Sequence, residues 1–362
     1  PEDPPVTSTP TRPAAGTVTV QQSFPEPRDS TNPYIRMLRD ELRDTPGIEV
    51  RTFDWAGALL GRYDVFHAHW PEILVSGHSP LKTMVRQVLA FALLARLRVT
   101  RTPIVRTLHN LHRPSGISWV QNLFLELFER QTAGVILLNE TTEAPEETIS
   151  TVIRHGHYRD WFAAYPTPNA VEGRIGYFGL IRRYKGVDSL VRAFRGLRGD
   201  LSLHIAGKPS SDELRESLVA QAGDDDRVSF RFAFLTEAEL VAVASSSELI
   251  VLPYREMHNS GGALAALSLD RPVLVPDNEV NTLLAREVGE GWVYTYSGEL
   301  RSEDLERTIA AVRGGGRTAR PRLDARDWRE SAELHARFYR RVTGRTASTT
   351  TGATRVDGHR VH

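Results

Sequence analysis

Short apolar runs alternating with stretches of helical length constrain this chain more than any other feature. Residues 18–21, 49–53, 65–67, 104–107 and 134–138 read as strands, and after a gap so do 175–178, 201–205, 228–232, 249–252 and 272–275. Between them lie helix-like segments at 34–43, 80–97, 119–131, 189–197, 212–221, 237–245, 262–269 and 279–288. Strand and helix in steady succession argue for right-handed βαβ units and a doubly wound parallel sheet. The pattern runs twice, so the expected class is α/β, with two Rossmann-like domains facing each other across a cleft. The join falls near 165–173 (YPTPNAVEG), which holds proline and no apolar period. This places one domain at 16–168, a second at 169–326, and a last helix at 327–343 that crosses back to the first. Residues 1–15 and 344–362 read as disordered tails.

The 362 residues suffice for two cores of ordinary size. Lysine plus arginine equals aspartate plus glutamate at 45 each, so no bulk charge points to nucleic acid. The chain lacks cysteine, which removes disulfides and thiolate chemistry and fits a reducing compartment. Residues 1–15 lack the apolar stretch of a signal peptide. A cytoplasmic location is expected on these grounds, with the inner face of the plasma membrane as a docking surface. Helix 80–97 (PLKTMVRQVLAFALLARL) is apolar with basic edges. It is too short and interrupted to span a bilayer, but suited to rest on an anionic one. A core helix with ordinary basic flanks is the competing reading.

Residues 175–189 (IGYFGLIRRYKGVDS) carry the strongest chemical signal. A buried strand ends in Gly179, a polar and cationic cluster follows (Arg182, Arg183, Tyr184, Lys185), and Gly186 opens a helix. Cationic heads and free backbone N–H groups, placed where a strand hands over to a helix, suit a diphosphate. Residues 252–276 (LPYREMHNSGGALAALSLDRPVLVP) repeat the arrangement, with Asn259, Ser260, Gly261 and Gly262 at a helix start. The paired glycines let a ligand approach the main chain closely. Both loops leave the carboxyl ends of strands, where doubly wound sheets bind ligands. Two further loops leave the same rim, 206–211 (AGKPSS, with Gly207) and 232–235 (with Phe234), and these suit a nucleotide base. The acidic run 224–226 lies between helix and strand and reads as solvated.

The first half places histidines after strands. His69, Trp70 and Glu72 follow the strand holding His67, His109 and Asn110 follow 104–107, and His155 and His157 precede an aromatic run. His67 and His69 are expected on opposite faces of their strand. With no cysteine or clustered aspartate to complete a ligand set, no metal site is expected. The polar loop 21–34 (QQSFPEPRDSTNPY) overhangs the cleft and offers Glu26, Arg28, Asp29 and Asn32 to a substrate. Alternatively it serves only to cap the helix that starts after Asn32.

Taken together, these segments resemble the GT-B nucleotide-sugar glycosyltransferases over most of residues 16–343. YFGLIRRYKGVDSLVRAF is similar to the family's donor-diphosphate motif, AGKPSS to its glycine loop, and ELIVLPYREMHNSGGALAALSLDRPVLVP to its acidic-loop-and-helix motif. VFHAHWPE and VRTLHN resemble the histidine-bearing strand ends of the acceptor domain, and HGHYRDWF stands where the family has an Asn-Gly-Val-Asp segment. The set SFPEPR…TNPY, HAHWPE, GHYRDWF and REMHNSGGALAALSLDRPVLVPDN looks closer to bacterial GDP-mannose:glycolipid 4-β-mannosyltransferases, inverting enzymes of the xanthan-assembly type. The resemblance implies a GT-B fold whose N-terminal domain binds the acceptor and whose C-terminal domain binds the nucleotide-sugar. It implies transfer of a sugar, by preference mannose from GDP-mannose, to a glycolipid or saccharide acceptor in polysaccharide biosynthesis, without cofactor or metal.

On this reading Gly179, Arg182, Arg183, Lys185, Gly207, Phe234, Glu256, His258, Asn259, Ser260, Gly261 and Gly262 serve the donor. Glu26, Arg28, Asn32, His69, Trp70, Asn110 and His157 serve the acceptor. An inverting transfer takes its base from the first domain: Glu72 by preference, with His109, Asp29 and Glu26 as alternatives. Partial burial in a closed cleft would bring its pKa near neutrality. His109 alternatively contacts the sugar or phosphate. The chain also departs from the large retaining family. Leu180 stands where that family has arginine, and its two glutamate positions fall at Met257 and Ala265. Glu256 adjoins the first, and nothing replaces the second. A retaining transferase with altered donor contacts, or a non-catalytic nucleotide-sugar-binding subunit, is therefore the competing reading.

Overall fold

The computed structural model describes residues 16–28, 31–110, 113–114, 116–146, 148–255, 257–259 and 261–345. The tail expected at 1–15, and residues 346–362 of the second tail, lie outside these. The first unit comprises β1 (Val18–Gln22), α1 (Pro33–Asp44), β2 (Ile48–Arg51), α2 (Trp55–Leu60), β3 (Val65–Ala68), a 3-10 turn at Pro71–Val75, α3 (Pro80–Val99), β4 (Ile104–Leu108), α4 (Trp119–Gln131), β5 (Thr132–Leu137) and β6 (Ile149–Val152). After α5 (Arg159–Phe162) come β7 (Arg174–Phe178), α6 (Val187–Arg195), β8 (Ser202–Ala206), α7 (Asp212–Ala222), β9 (Val228–Arg231) and α8 (Glu237–Ser245). They are followed by β10 (Leu249–Val251), α9 (Gly261–Ser268), β11 (Val273–Pro276), α10 (Glu279–Val288), β12 (Val293–Tyr296), α11 (Ser302–Gly314) and α12 (Trp328–Val342).

Two six-stranded sheets result, ordered β2-β1-β3-β4-β5-β6 and β12-β11-β10-β7-β8-β9, with every pairing parallel. This is the expected α/β class. The strand order reverses between β1 and β3 in one sheet and between β7 and β10 in the other, which opens a crevice at each point. Central strands such as β1 are buried along their whole length because helices cover both faces. The edge strands β6 and β12, together with α2 and α11, escape the sequence reading. ISTV and VYTY are four residues each and mostly half-buried, so they display no apolar run.

One apolar core runs through both units and joins them through Tyr158, Phe162 and Trp328. A second lies under α2, α3 and α4. The final helix packs on α1, and the Tyr339 hydroxyl meets His67 Nδ1 at 2.7 Å. Gly134 is small because a Cβ there would meet Phe338 and Val342 at 2.9 Å. Arg345, read from sequence as part of the tail, is held by the Asp64 carboxylate at 2.8 Å. One expectation is corrected in β3. His67 and His69 share a face, with ring centroids 4.3 Å apart, because alternate residues of a strand point to the same side.

Candidate active site

Loops beyond the carboxyl ends of the two sheets meet, since Asn139 after β5 bonds Asn259 after β10. At the β7/β10 switch point the main chain is drawn together tightly. Gly186 (φ +62°) lies where a Cβ would come 2.0 Å from the Pro253 carbonyl oxygen, and at Gly207 a Cβ would fall 1.8 Å from the Gly179 carbonyl oxygen. Arg255 N donates to Tyr184 O at 2.9 Å, and Ile181 N to Lys208 O at 3.0 Å. The loops after β7, β8 and β10, three of the sequence candidates, therefore form one continuous rim. Lys185 Nζ sits 4.9 Å from the centroid of Tyr254 and has no carboxylate partner among the described residues. Burial, then the Arg182 guanidinium, lowers its pKa to about 8. A cation held this way gains from an incoming anion. Arg183 turns outward to Glu213 at 2.9 Å.

The loop between β10 and α9 reaches across to the first unit. Asn139, just beyond β5, donates from Nδ2 to Asn259 Oδ1 at 2.8 Å. His258 Nε2 lies 2.6 Å from Thr142 Oγ1. Met257, at the first glutamate position of the retaining family, is buried, and its carbonyl accepts from Asn278 Nδ2 at 2.8 Å. Ala265, at the second, is buried in α9. Glu256 and Ser260, both sequence candidates, lie outside the described residues. Gly261 and Gly262 open α9, with Gly261 against Tyr158 and His155. Phe234 is exposed and lines an open cleft of about 860 Å³ between the two units, with Asn32, Arg36 and Trp161 opposite.

On the first unit, His69, Trp70, Glu72, Arg106, His109 and Asn110 line one small pocket at the ends of β3 and β4. His69 Nδ1 meets His109 Nε2 at 3.1 Å, and His109 stacks on Trp70 with centroids 4.2 Å apart. Burial, reinforced by His155 and Arg106, lowers the His109 pKa to about 3, so it is neutral at physiological pH. Burial raises the Glu72 carboxyl, outweighing the opposing pull of Arg106. The two groups thus move in opposite directions, and only Glu72 moves toward neutrality.

The other candidates of the first unit have structural employment. Glu26 bonds Arg39, Arg43 and Thr52. Slight burial pushes its carboxyl up, but Arg43, Thr52 and Arg39 outweigh this and hold it below the usual range. Asn32 caps α1 through Tyr34 N at 3.0 Å. Arg28 is exposed and its N–H donates to Thr31 Oγ1. His157 accepts from Arg159 N, and its carbonyl accepts from Trp328 Nε1 at 2.7 Å. Asp29 lies outside the described residues. Sequence reasoning missed Asn139, Thr142 and Tyr254. The last lies three residues beyond its strand, within the 252–276 segment, but the first two sit in NETT, which reads as ordinary turn chemistry.

Comparison with known proteins adds to this geometry. Residues 172–309 match the family described as glycosyl transferases group 1. Over 333 residues, 92% of this chain and 95% of the relative, the chain is 41% identical to a GDP-mannose:glycolipid 4-β-D-mannosyltransferase of Xanthomonas campestris pv. campestris. Among solved structures, sucrose-phosphate synthase from Thermosynechococcus elongatus aligns with a TM-score of 0.62 at 12% identity, over 91% of this chain and 100% of that one. Anabaena HepE in complex with UDP aligns with a TM-score of 0.56 at 13% identity, over 91% and 97%. Those two likenesses speak to fold alone.

Proposed function

The chain belongs to the family of GDP-mannose:glycolipid 4-β-D-mannosyltransferases, and as a glycosyltransferase of that family we propose that it moves mannose from GDP-mannose to a hydroxyl of a glycolipid. The observation that carries the reading is the fused rim at the β7/β10 switch point. There Gly186 abuts Pro253, and Lys185 lies against the Tyr254 ring with no carboxylate partner among the described residues. A pyrophosphate fits that combination of close main chain and fixed positive charge.

The proposed reaction is inverting and needs no metal. The Glu72 carboxylate takes the proton of the acceptor hydroxyl, whose oxygen forms a bond to the anomeric carbon from the face opposite the leaving group. The bond from that carbon to the phosphate oxygen breaks, and its electron pair leaves with the nucleoside diphosphate. Lys185, Arg182 and the N-terminus of α9 hold the departing charge. The burial-raised carboxyl of Glu72 supports its choice as base over Glu26, held low by its ion pairs, and over His109, whose pKa of about 3 makes it a weak base. Exposed Phe234 offers a stacking surface for the base.

The reading is tested by thermal unfolding with GDP, UDP, dTDP and ADP. A ligand bound to the native state alone raises the midpoint. GDP should raise it for the wild type and not for Lys185→Ala. If no nucleoside diphosphate moves the wild-type midpoint, the reading falls. NMR of the product decides the stereochemistry: retention of the donor's anomeric configuration excludes the inverting scheme. Transfer undiminished by EDTA is expected, and metal-dependent turnover would exclude metal independence.

The same reading places the protein at an anionic membrane surface. No helix among the described residues is long and apolar enough to cross a membrane. On the first turns of α3, Leu81, Met84, Val85 and Val88 recur at helical spacing and are exposed, with Ile73, Trp119 and Leu123 exposed on the neighbouring elements. Lys82 is exposed within that stripe, so an apolar face carries a basic residue. Ile73 adjoins Glu72, so a lipid tail resting there leaves its sugar near the base. The protein should sediment with vesicles containing phosphatidylglycerol, and Val85→Glu with Val88→Glu should release it. Equal sedimentation of both forms, or of neither, argues against this surface.

A further inference from the structure

We propose that Asn139 and Thr142 of the N-terminal domain are positioning residues for the donor loop, so that the diphosphate cradle is completed by the opposite domain. The inference rests on the reading that the loop between β10 and α9 holds the donor.

Asn139 is itself rigidly placed. Its Oδ1 accepts from Thr141 N at 3.0 Å, from Thr142 N at 2.9 Å and from Thr142 Oγ1 at 2.9 Å. With that oxygen saturated, the amide can present only Nδ2 to the other domain. It does so to Asn259 Oδ1 at 2.8 Å. The Thr142 hydroxyl spends its proton on Asn139, so at 2.6 Å it accepts from the Nε2–H tautomer of His258. Burial lowers the His258 pKa, which keeps the ring neutral. Two short bonds from a pre-set turn thus fix His258 and Asn259, which lead directly into the N-terminus of α9.

The far end of α9 is pinned from the same side. Tyr158 N donates to Ser268 Oγ at 2.9 Å, and Gly261 lies where a Cβ would be 3.2 Å from the Tyr158 hydroxyl. Both ends of the helix whose N-terminus faces the crevice are therefore located by residues from the first half of the chain. Opening of the domains would break the Asn139 and Thr142 bonds and release the loop.

Asn139→Asp separates the two jobs of the side chain, since it keeps the acceptor that holds the turn and removes the donor to Asn259. Thr142→Val removes the hydroxyl at constant shape, and Thr142→Ser restores it. Asn139→Asp and Thr142→Val should each raise the donor KM and the GDP dissociation constant about tenfold, the loss of one good hydrogen bond. The acceptor KM should not change, and Thr142→Ser should stay within about twofold of wild type. A role confined to stability would lower the melting midpoint of the free protein without this donor-specific split. If wild type binds GDP and Lys185→Ala does not, yet Asn139→Asp and Thr142→Val keep wild-type donor constants, the inference is overturned while the donor site stands. If wild type fails to bind any nucleoside diphosphate, both fall together.

Discussion

At the switch point of the second sheet, glycines bring main chain against main chain, and Lys185 and Arg182 supply the positive charge. At the ends of β3 and β4 in the first sheet, the wall is made of side chains: His69, Trp70, Glu72, Arg106 and His109. The same doubly wound framework thus produces two kinds of surface. One is polar through fixed cations and the opening turn of α9, which suits a ligand of high charge. The other is polar because titratable groups are half-submerged, which suits moving a proton. The difference shows in the shifts: a cation lowered toward neutrality on one side, and on the other a carboxyl raised beside an imidazole held at about 3.

Substitutions can break this contrast. The largest effect is expected from Gly186→Ala, which puts a methyl group into the Pro253 carbonyl and strains a left-handed backbone. It should abolish the GDP-induced rise in melting midpoint while circular dichroism still reports a folded chain. A retained midpoint shift would mean that the main-chain contact is dispensable. Glu72→Gln should reduce kcat by about 10²- to 10⁴-fold and leave the GDP-induced shift intact, because it touches only the proton-moving wall. Near-normal turnover would remove Glu72 as the base.

Acid titration probes the submerged side as a whole. Burial, aided in His155 by Arg326 and opposed by backbone hydrogen bonds, holds His155 and His335 at about 4. Below the unfolded value near 6.5, the unfolded chain takes up protons that the native chain refuses. Stability is therefore full above about pH 6.5 and is lost as pH falls toward 4, by about 1.4 kcal/mol per pH unit for each such group. The melting midpoint should fall steeply across that window, and a flat profile would contradict burial of these rings. Tyr339→Phe should have the smallest effect. It leaves His67 Nδ1 without its 2.7 Å partner, at a cost of about 1–3 kcal/mol, and GDP affinity should be unchanged.

Much of this was visible in the residues. The βαβ rhythm exposes the fold because periodicity reports burial directly, and the glycine-and-cation loops stand out because few other structures need such residues at a strand end. The short edge strands do not stand out, since a half-buried strand carries no apolar run. Nor does the role of His67, which looks like a site residue beside His69 but bonds Thr107 and Tyr339 inside the core. Its second partner lies 272 positions away, beyond the reach of local pattern. Asn139 is hidden for the same reason: its neighbours account for its side-chain oxygen, but the partner of its amide nitrogen belongs to a loop 120 residues later.

The return of α12 to the first lobe has a bearing on how the polypeptide is made. Domains generally fold in the order in which they leave the ribosome. Here the groove beside α1, the notch at Gly134 and the Tyr339 partner of His67 stay vacant until residues 328–342 have been translated. A nascent chain halted ahead of that point carries an uncovered greasy seam. Dividing the gene between its lobes should accordingly give an amino-terminal fragment that clumps, and co-expression with the remainder should rescue it.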